Sequence, residues 1–502
     1  MTARILKIFI VCCWLALLVS LVQRDFFIHA LESDEQEILI QAKHQQYYGV
    51  HLHNNRIGYV MEDIRPYAHG EGEEGVRIRQ QASLRLKVLN SVQPITMKLN
   101  ATAGNGLQLR TFEFFFSSPF YKTTAKGQVN GNTVHFTLDT GGATIKDSIT
   151  LQGPPILPLN QRGYLLSALS TKGDKLKIPF FDPFSLAARS SVVTYNGQEK
   201  KLLNERIYQL HHFTESYSGM KVNFWLDDQG KVIQQRSPAG FIFQAEPKFK
   251  AMDIRDSGDE LLSTVAVQYT GKPFQENAQR AAYQLQFPQE AEVDLNGGRQ
   301  HFTNGSSGRL VLTKEMFPPQ PADDAFTSGK RCVDNGIDND VGNDTWLAAS
   351  RYVQADDPAI IAKAQEIIGQ EADPVRQVPL LVKWVYQNIE KRPVIGLPDA
   401  LTTLKSGKGD CNEHAALFAA LARSLNIPTT LTAGVTRQKN AFYYHAWNEV
   451  CLNGQWISLD TTVNQLPADL YHIRFTRGDL EGQLAIGALI GKLQIEILPV
   501  QE

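Results

Sequence analysis

Cysteine is scarce in this chain: five residues in 502, at positions 12, 13, 332, 411 and 451, with no C-x-x-C pair and no Cys/His cluster at zinc spacing. Neither a disulfide scaffold nor a structural zinc site is therefore expected to carry the fold. An excess of charge of one sign is also missing. Fifty Lys and Arg face 52 Asp and Glu, a net charge of −2 without long single-sign runs, so the electrostatic footprint of a nucleic-acid binder is absent. No phosphate loop occurs: Gly407-Lys408 lacks the upstream glycine, and no Gly-x-Gly-x-x-Gly follows a strand pattern. His51, His53 and the pair His211-His212 have no carboxylates at metal-ligand spacing. The acid-rich stretch Asp334 to Asp344 lacks the ordered spacing of a calcium loop and reads as solvated linker. Metal and cofactor are both expected to be none. What is present is 43% hydrophobic residues over a length that can bury several cores, which implies two or three domains.

Only one long apolar run exists. Ile8 to Val22 is preceded by Arg4 and Lys7 and followed by Gln23, Arg24 and Asp25. With positive charge ahead of it and no convincing small-residue cleavage site behind it, the run is expected to be an uncleaved signal anchor. The N-terminus would then be cytoplasmic and the body periplasmic, touching the membrane through this helix. A signal peptide cleaved near Ala30, releasing the body, is the alternative. Cys12 and Cys13 lack the small preceding residue of a lipoprotein site and read as apolar helix residues. The expected division is 1–30 anchor or signal, 31–317 antiparallel β region with a possible break near 250, 318–345 linker, 346–480 a domain of mixed helix and strand, and 481–502 a C-terminal strand segment.

From Tyr47 to Pro247 the sequence alternates apolar and polar residues with period two, interrupted by turn dipeptides such as Asn54-Asn55, Asn130-Gly131 and Asn196-Gly197. Strands are expected at Ser83 to Leu89, Leu107 to Phe116, Thr123 to Val129, Thr133 to Leu138 and Lys221 to Trp225, and a similar style continues from Leu261 to Thr313. Beyond the linker the period changes. Helices are predicted over Pro358 to Ile368 and Asp373 to Glu390, the second with Leu380, Leu381, Trp384, Val385 and Ile389 on one face.

The chemistry concentrates after these helices. In Gly407-Lys-Gly-Asp-Cys-Asn-Glu-His-Ala-Ala-Leu, Asp410 is placed to cap a helix whose first residue is Cys411. Unpaired N–H groups and the positive end of the helix dipole there favour thiolate over thiol, which prepares a nucleophile; a small side chain tucked against the core is the other reading. Downstream, Asn453-Gly454 signals a two-residue hairpin. If Leu452 pairs with Gln455, Trp447 falls opposite Asp460 and His445 opposite Thr462, so His445 and Asp460 share a face as diagonal neighbours. That supplies a base and a carboxylate to orient it. The apolar helix must pack on this sheet to bring Cys411 to His445. His414, one turn along the helix, and Trp447, on the face of His445, are candidates for lining a cleft, with burial as their alternative. Asp469, outside the hairpin, is expected to matter little.

The three segments Gly-Asp-Cys-Asn-Glu-His, Tyr-His-Ala-Trp-Asn-Glu-Val and Gly-Gln-Trp-Ile-Ser-Leu-Asp resemble, in order and spacing, the core of the transglutaminase-like superfamily over roughly residues 375 to 475. The family often has Asp-Pro-Thr where this chain has Asp460-Thr461-Thr462. The resemblance implies a papain-like triad with Cys411 as nucleophile, His445 as general base and acid, and Asp460 as orienting carboxylate. The fold class expected is α+β, a large antiparallel β region followed by this papain-like domain, with an N-terminal membrane anchor. By analogy, the β region resembles the curved sheet of periplasmic lipoprotein carriers. The function expected is acyl transfer on a peptide or amide substrate through a thioester, in the cell envelope. A cysteine protease or amidase, and a non-catalytic envelope scaffold that keeps the fold, are the alternatives. The oligomeric state is not legible.

Overall fold

Period-two alternation over residues 44–245 produces one very large sheet, because each strand can hide one face only by pairing with the next. The computed structural model describes residues 29–30 and 44–499 apart from 53–54, 70–72, 89–90, 105–107, 158, 160–161, 184, 204–205, 218, 255–264, 276, 304, 320–331, 333–342, 479–482 and 484. The expected anchor Ile8 to Val22 and nearly all of the expected linker lie outside the described residues. No helix among the described residues is long and apolar enough to cross a membrane.

Among the described residues the sheet has fifteen strands, one of them the two-residue His29–Ala30, which pairs parallel with Lys175–Asp182. One antiparallel meander runs from His44–Leu52 to Thr144–Thr150, a second from Lys175–Asp182 to Phe241–Ala245, and the two join where Phe241–Ala245 pairs with His44–Leu52. The sheet curls on itself: Phe112 of the first meander meets Phe181 of the second with ring centroids 5.0 Å apart. Phe112, Phe114 and Phe116 point into this core while Thr111 before them and Glu113 between the first two point out. Each fully buried phenylalanine is worth about 1.5–3 kcal/mol. The Asn130-Gly131 turn stands where expected, between Lys122–Asn130 and Thr133–Asp139. Asn196-Gly197 does not turn the chain. It lies inside the strand Ala187–Leu203, where the register slips between Tyr195 and Gly197 and Gly197 takes φ 95°; a bulge uses the left-handed residue that a turn would otherwise use.

A second sheet of five strands contains Tyr269–Gly271, Arg280–Gln286, Gln300–Thr303, Ser307–Thr313 and, inserted between the first two, Gln494–Leu498. The helical part follows. Helices α1 (Pro358–Ile368), α2 (Pro374–Asn388), α3 (Ala400–Ser406) and α4 (Cys411–Ser424) pack against a four-stranded antiparallel sheet of β1 (Thr429–Gln438), β2 (Ala441–Leu452), β3 (Gln455–Leu459) and β4 (Ile473–Arg477), in the order β3-β2-β1-β4. Asp357 and Asp373 cap α1 and α2. On α2 the buried stripe is Val378, Leu381, Val382 and Val385, and Leu380 is 39% exposed, one position off the expected face. The described chain as a whole is mostly β, with the large antiparallel sheet that was expected, and the helices are confined almost entirely to the later part that the α+β expectation rested on.

The sparse cysteines hold a second departure. Cys332 and Cys451 form a disulfide, which ties the linker to β2, so a covalent link exists where none was expected. Two cysteines 119 residues apart leave no motif; only the path of the chain brings them together.

Candidate functional site

The site begins at the turn between α3 and α4. Gly407 ends α3 in the left-handed conformation, φ 63°, and the short strand Lys408–Gly409 leads into α4. A Cβ on Gly409 would lie 2.4 Å from the Glu413 Cβ, so only glycine lets the chain turn this tightly. Asp410 caps the helix by accepting from the Asn412 N–H at 3.1 Å, and Glu413 accepts from the Asp410 N–H at 3.0 Å, a reciprocal capping box. Cys411 is the first helical residue, as expected.

Helix α4 is buried from Glu413 to Arg423. Leu417, Phe418 and Leu421 have no exposed surface, and truncating one of them to alanine costs about 2–5 kcal/mol. Asn448 of β2 joins the helix to the sheet: its Nδ2 donates to the Ala415 carbonyl at 3.0 Å and to the Thr430 carbonyl at 3.3 Å. This packing brings Cys411, at the start of α4, near enough to β2 for His445 and the backbone of Ala446 to act electrostatically on its thiol.

The hairpin has the register that Asn453-Gly454 implies. Leu452 pairs with Gln455 and the ladder continues to Asn448 opposite Leu459. There it stops, because Asp460 leaves the ladder and bridges Gln465 through both backbone groups, at 2.9 and 3.0 Å. The carboxylate still faces the imidazole: His445 Nε2 donates to Asp460 Oδ2 at 2.7 Å. Thr462, whose hydroxyl lies 3.4 Å from the same nitrogen, gives Asp460 Oδ1 its backbone N–H at 2.7 Å and its O–H at 2.5 Å.

The electrostatics differ from the expectation at the cysteine. Burial and then the Asp410 carboxylate push the Cys411 thiol up from its ordinary value, and the opposing pull of His445 does not cancel them. A buried thiolate beside an anion costs more than the helix N-terminus returns. At His445 burial disfavours the cation, but the Asp460 carboxylate and the Cys411 thiolate outweigh it and raise the imidazole to about 10. Asp460, though buried, is held well below the usual carboxylate range by its imidazole partners.

The two cleft candidates are both withdrawn from solvent. His414 is fully buried, its Nδ1 2.6 Å from the Asp410 carbonyl oxygen. Trp447 is 1% exposed, nearly parallel to the His445 ring at 6.3 Å, and so forms the floor under that imidazole. The sequence reading missed His472. Its Nε2 is 3.2 Å from Asp460 Oδ2 and its Nδ1 is 2.8 Å from Asp469 Oδ1, so Asp460 accepts from two imidazoles. The one local signal is Asp469-Leu-Tyr-His472, a carboxylate three residues ahead of a histidine. Ligand atoms of His445, Asp460 and His472 lie within 4.8 Å of one another, a spacing a divalent ion could span, and in the structure the two imidazoles face the shared carboxylate oxygen. A surface groove of about 770 Å³ runs over the outer face of the large sheet between Glu113, Lys126, His135 and Lys146, and no residue of the Cys411 site lines it.

Comparison with protein families matches residues 361–461 to the Transglutaminase-like superfamily. The match begins within α1 and ends at Thr461. Solved structures similar to the chain include a putative cysteine protease from Cytophaga hutchinsonii, 17% identical with a TM-score of 0.29, covering 47% of this chain and 89% of that one. A β-barrel-like protein of a domain of unknown function from Brucella abortus is 10% identical with a TM-score of 0.29, covering 42% and 98%. A putative protease from Parabacteroides distasonis is 11% identical with a TM-score of 0.21, covering 68% and 64%. Likenesses this distant bring no activity with them. No curated protein matches the chain.

Proposed function

We propose that this protein is a cysteine acyl-transfer enzyme acting on an amide or peptide substrate. The observation that carries the reading is the His445–Asp460 hydrogen bond at 2.7 Å beside a half-buried Cys411 at a helix start, within residues that match the transglutaminase-like superfamily. Cys411 is the nucleophile, His445 the general acid and base, and Asp460 the carboxylate that holds the ring with Nε2 occupied, leaving Nδ1 for the sulfur.

The sulfur attacks the amide carbonyl carbon and the carbonyl electrons move to oxygen, giving a tetrahedral oxyanion beside the start of α4, where unpaired N–H groups favour negative charge. As the C–N bond breaks, the imidazolium of His445 gives its proton to the departing amine, and a thioester remains. Water or a second amine then attacks the thioester, loses its proton to His445, and the C–S bond breaks to restore the thiolate. Water makes the enzyme a protease or amidase; an amine makes it a transglutaminase.

We further propose that the body works outside the cytoplasm. Arg4 and Lys7 ahead of the apolar run support this, as does the Cys332–Cys451 disulfide, since such bonds persist in oxidising compartments. A reporter active only in the cytoplasm, fused after Glu502, should stay silent. The enzymatic reading is tested by screening for released ammonia against peptides and cell-wall fragments with wild type and Cys411→Ser. Activity that survives in Cys411→Ser rules the reading out.

A further inference from the structure

We propose that His472 is a positioning residue of this site, a standing imidazolium that shares Asp460 with His445 and so sets the proton affinity of the Cys411–His445 pair. The proposal rests on the roles given to Cys411, His445 and Asp460 above. It begins from donor and acceptor counting. A carboxylate oxygen only accepts, and His472 has one at each nitrogen: Asp460 Oδ2 at 3.2 Å from Nε2 and Asp469 Oδ1 at 2.8 Å from Nδ1. Both contacts are hydrogen bonds only when both nitrogens carry protons, so the ring is a cation. Burial to 2% opposes that charge, and the two carboxylates overcome it, raising the imidazole above its ordinary value.

The surroundings fix this arrangement. Asp469 accepts in addition from the Tyr471 N–H at 2.9 Å and from Gln465 Nε2 at 3.2 Å. Arg299 donates to the His472 carbonyl at 2.8 Å, with Glu315 behind it at 3.6 Å. Trp447 packs edge-to-face on the His472 ring at 5.2 Å, and the His445 ring lies 5.9 Å away. The charged and titratable groups facing His472 are thus Asp460, Asp469 and His445, with Arg299 and Glu315 at its backbone.

A fixed positive charge 5.9 Å from His445 makes a second cation there less favourable, and it draws off part of the Asp460 field. Two unit charges at that separation, in an effective dielectric of about 20, shift a proton affinity by about 1 to 2 pH units. His472 accordingly keeps Asp460 from holding the His445 proton too tightly, which a base that must give and take protons requires.

The test is the pH dependence of iodoacetamide alkylation at Cys411, read by peptide mass spectrometry on the full chain. His472→Gln keeps a donor toward Asp460 and removes the charge, so the profile should move to higher pH, by up to about 1 to 2 units. Asp469→Asn should move it in the same direction, and should add little in the His472→Gln background. An unmoved profile, or a lower rate with the same pH dependence, overturns the proposal, because a purely structural role changes amplitude and not position. Nitrogen NMR of wild-type protein labelled in histidine provides a second measure independent of any variant: His472 should be doubly protonated at pH 8, and a neutral ring there also overturns it. His445→Gln separates the two levels of the argument. If it leaves alkylation unchanged, the Cys411–His445 reading itself fails; if it abolishes fast alkylation while His472→Gln moves nothing, only the role of His472 fails.

Discussion

Asp460→Asn is the most demanding test of the site, because the carboxylate is surrounded by donors. Oδ2 accepts from His445 and His472, and Oδ1 from the N–H and O–H of Thr462. An asparagine has one carbonyl oxygen and one NH2. Placing the oxygen toward the imidazoles sets the NH2 against the Thr462 N–H, and the opposite flip sets it against two ring N–H groups. Either way a buried donor faces a donor, and the charge that supports the His445 cation is gone. Breaking a buried ion pair by neutralising one partner costs about 3–5 kcal/mol. At one decade per 1.36 kcal/mol, that predicts a loss of about 10²- to 10⁴-fold in Cys411 alkylation near neutral pH and in turnover on any substrate the screen finds. The alkylation rate needs no substrate and can be measured first, with a melting curve on the same sample to show that the variant is folded. A folded Asp460→Asn protein within about ten-fold of wild type at neutral pH would refute the argument, because no ion pair of the stated worth could then exist.

Four other outcomes follow from the geometry. Since burial and Asp410 raise the Cys411 thiol and His445 holds its proton up to about 10, thiolate appears only as pH rises, while the imidazolium is lost only near that upper value. Activity should therefore still be climbing above pH 8 and fall again in the region of 10; a plateau reached by pH 6 contradicts both directions. Without reductant, iodoacetamide should modify Cys411 and spare Cys332 and Cys451. Reduction, or Cys332→Ser, should lower the stability by at most about 5 kcal/mol, the chain-entropy value for a loop of 119 residues, as read from a denaturant titration. Inserting one residue between Asn453 (φ 51°) and Gly454 (φ 78°) should break the two-residue turn, rotate either His445 or Asp460 to the other face and abolish alkylation above background. Full activity in that variant would mean another group orients His445.

The parts of the site visible in the sequence are those governed by local rules. Asn453-Gly454 determines a register, and the register places His445 and Asp460 on one face; Asp410 announces the start of α4 at Cys411. What could not be read depends on distant chain. Asp460 leaves its ladder to bridge Gln465, and this folds the following segment back so that Asp469 and His472 reach the carboxylate. Nothing in the spacing of those residues states that reversal. The direction of the Cys411 shift was hidden for a different reason: the helix terminus is legible in sequence, while the burial that outweighs it exists only after packing. Asn196-Gly197 shows the converse case, where a sound local signal for φ above zero is met by a bulge inside a strand.

The five-stranded sheet lies outside residues 361–461, yet it holds their chemistry in place. Arg299 from that region grips the carbonyls of Ala468 and His472, and Tyr283 grips that of Leu470. Its strand Arg280–Gln286 pairs on one side with Ser307–Thr313 and on the other with Gln494–Leu498. The domain recognised by family is thus not a unit that can be cut free. A fragment spanning 346–480 would carry Cys411, His445, Asp460 and His472 but would leave the loop after Asp460 without its clamp. The same holds for a chain cut before Gln494–Leu498, which would lack the strand that pairs with Arg280–Gln286 beside the clamp.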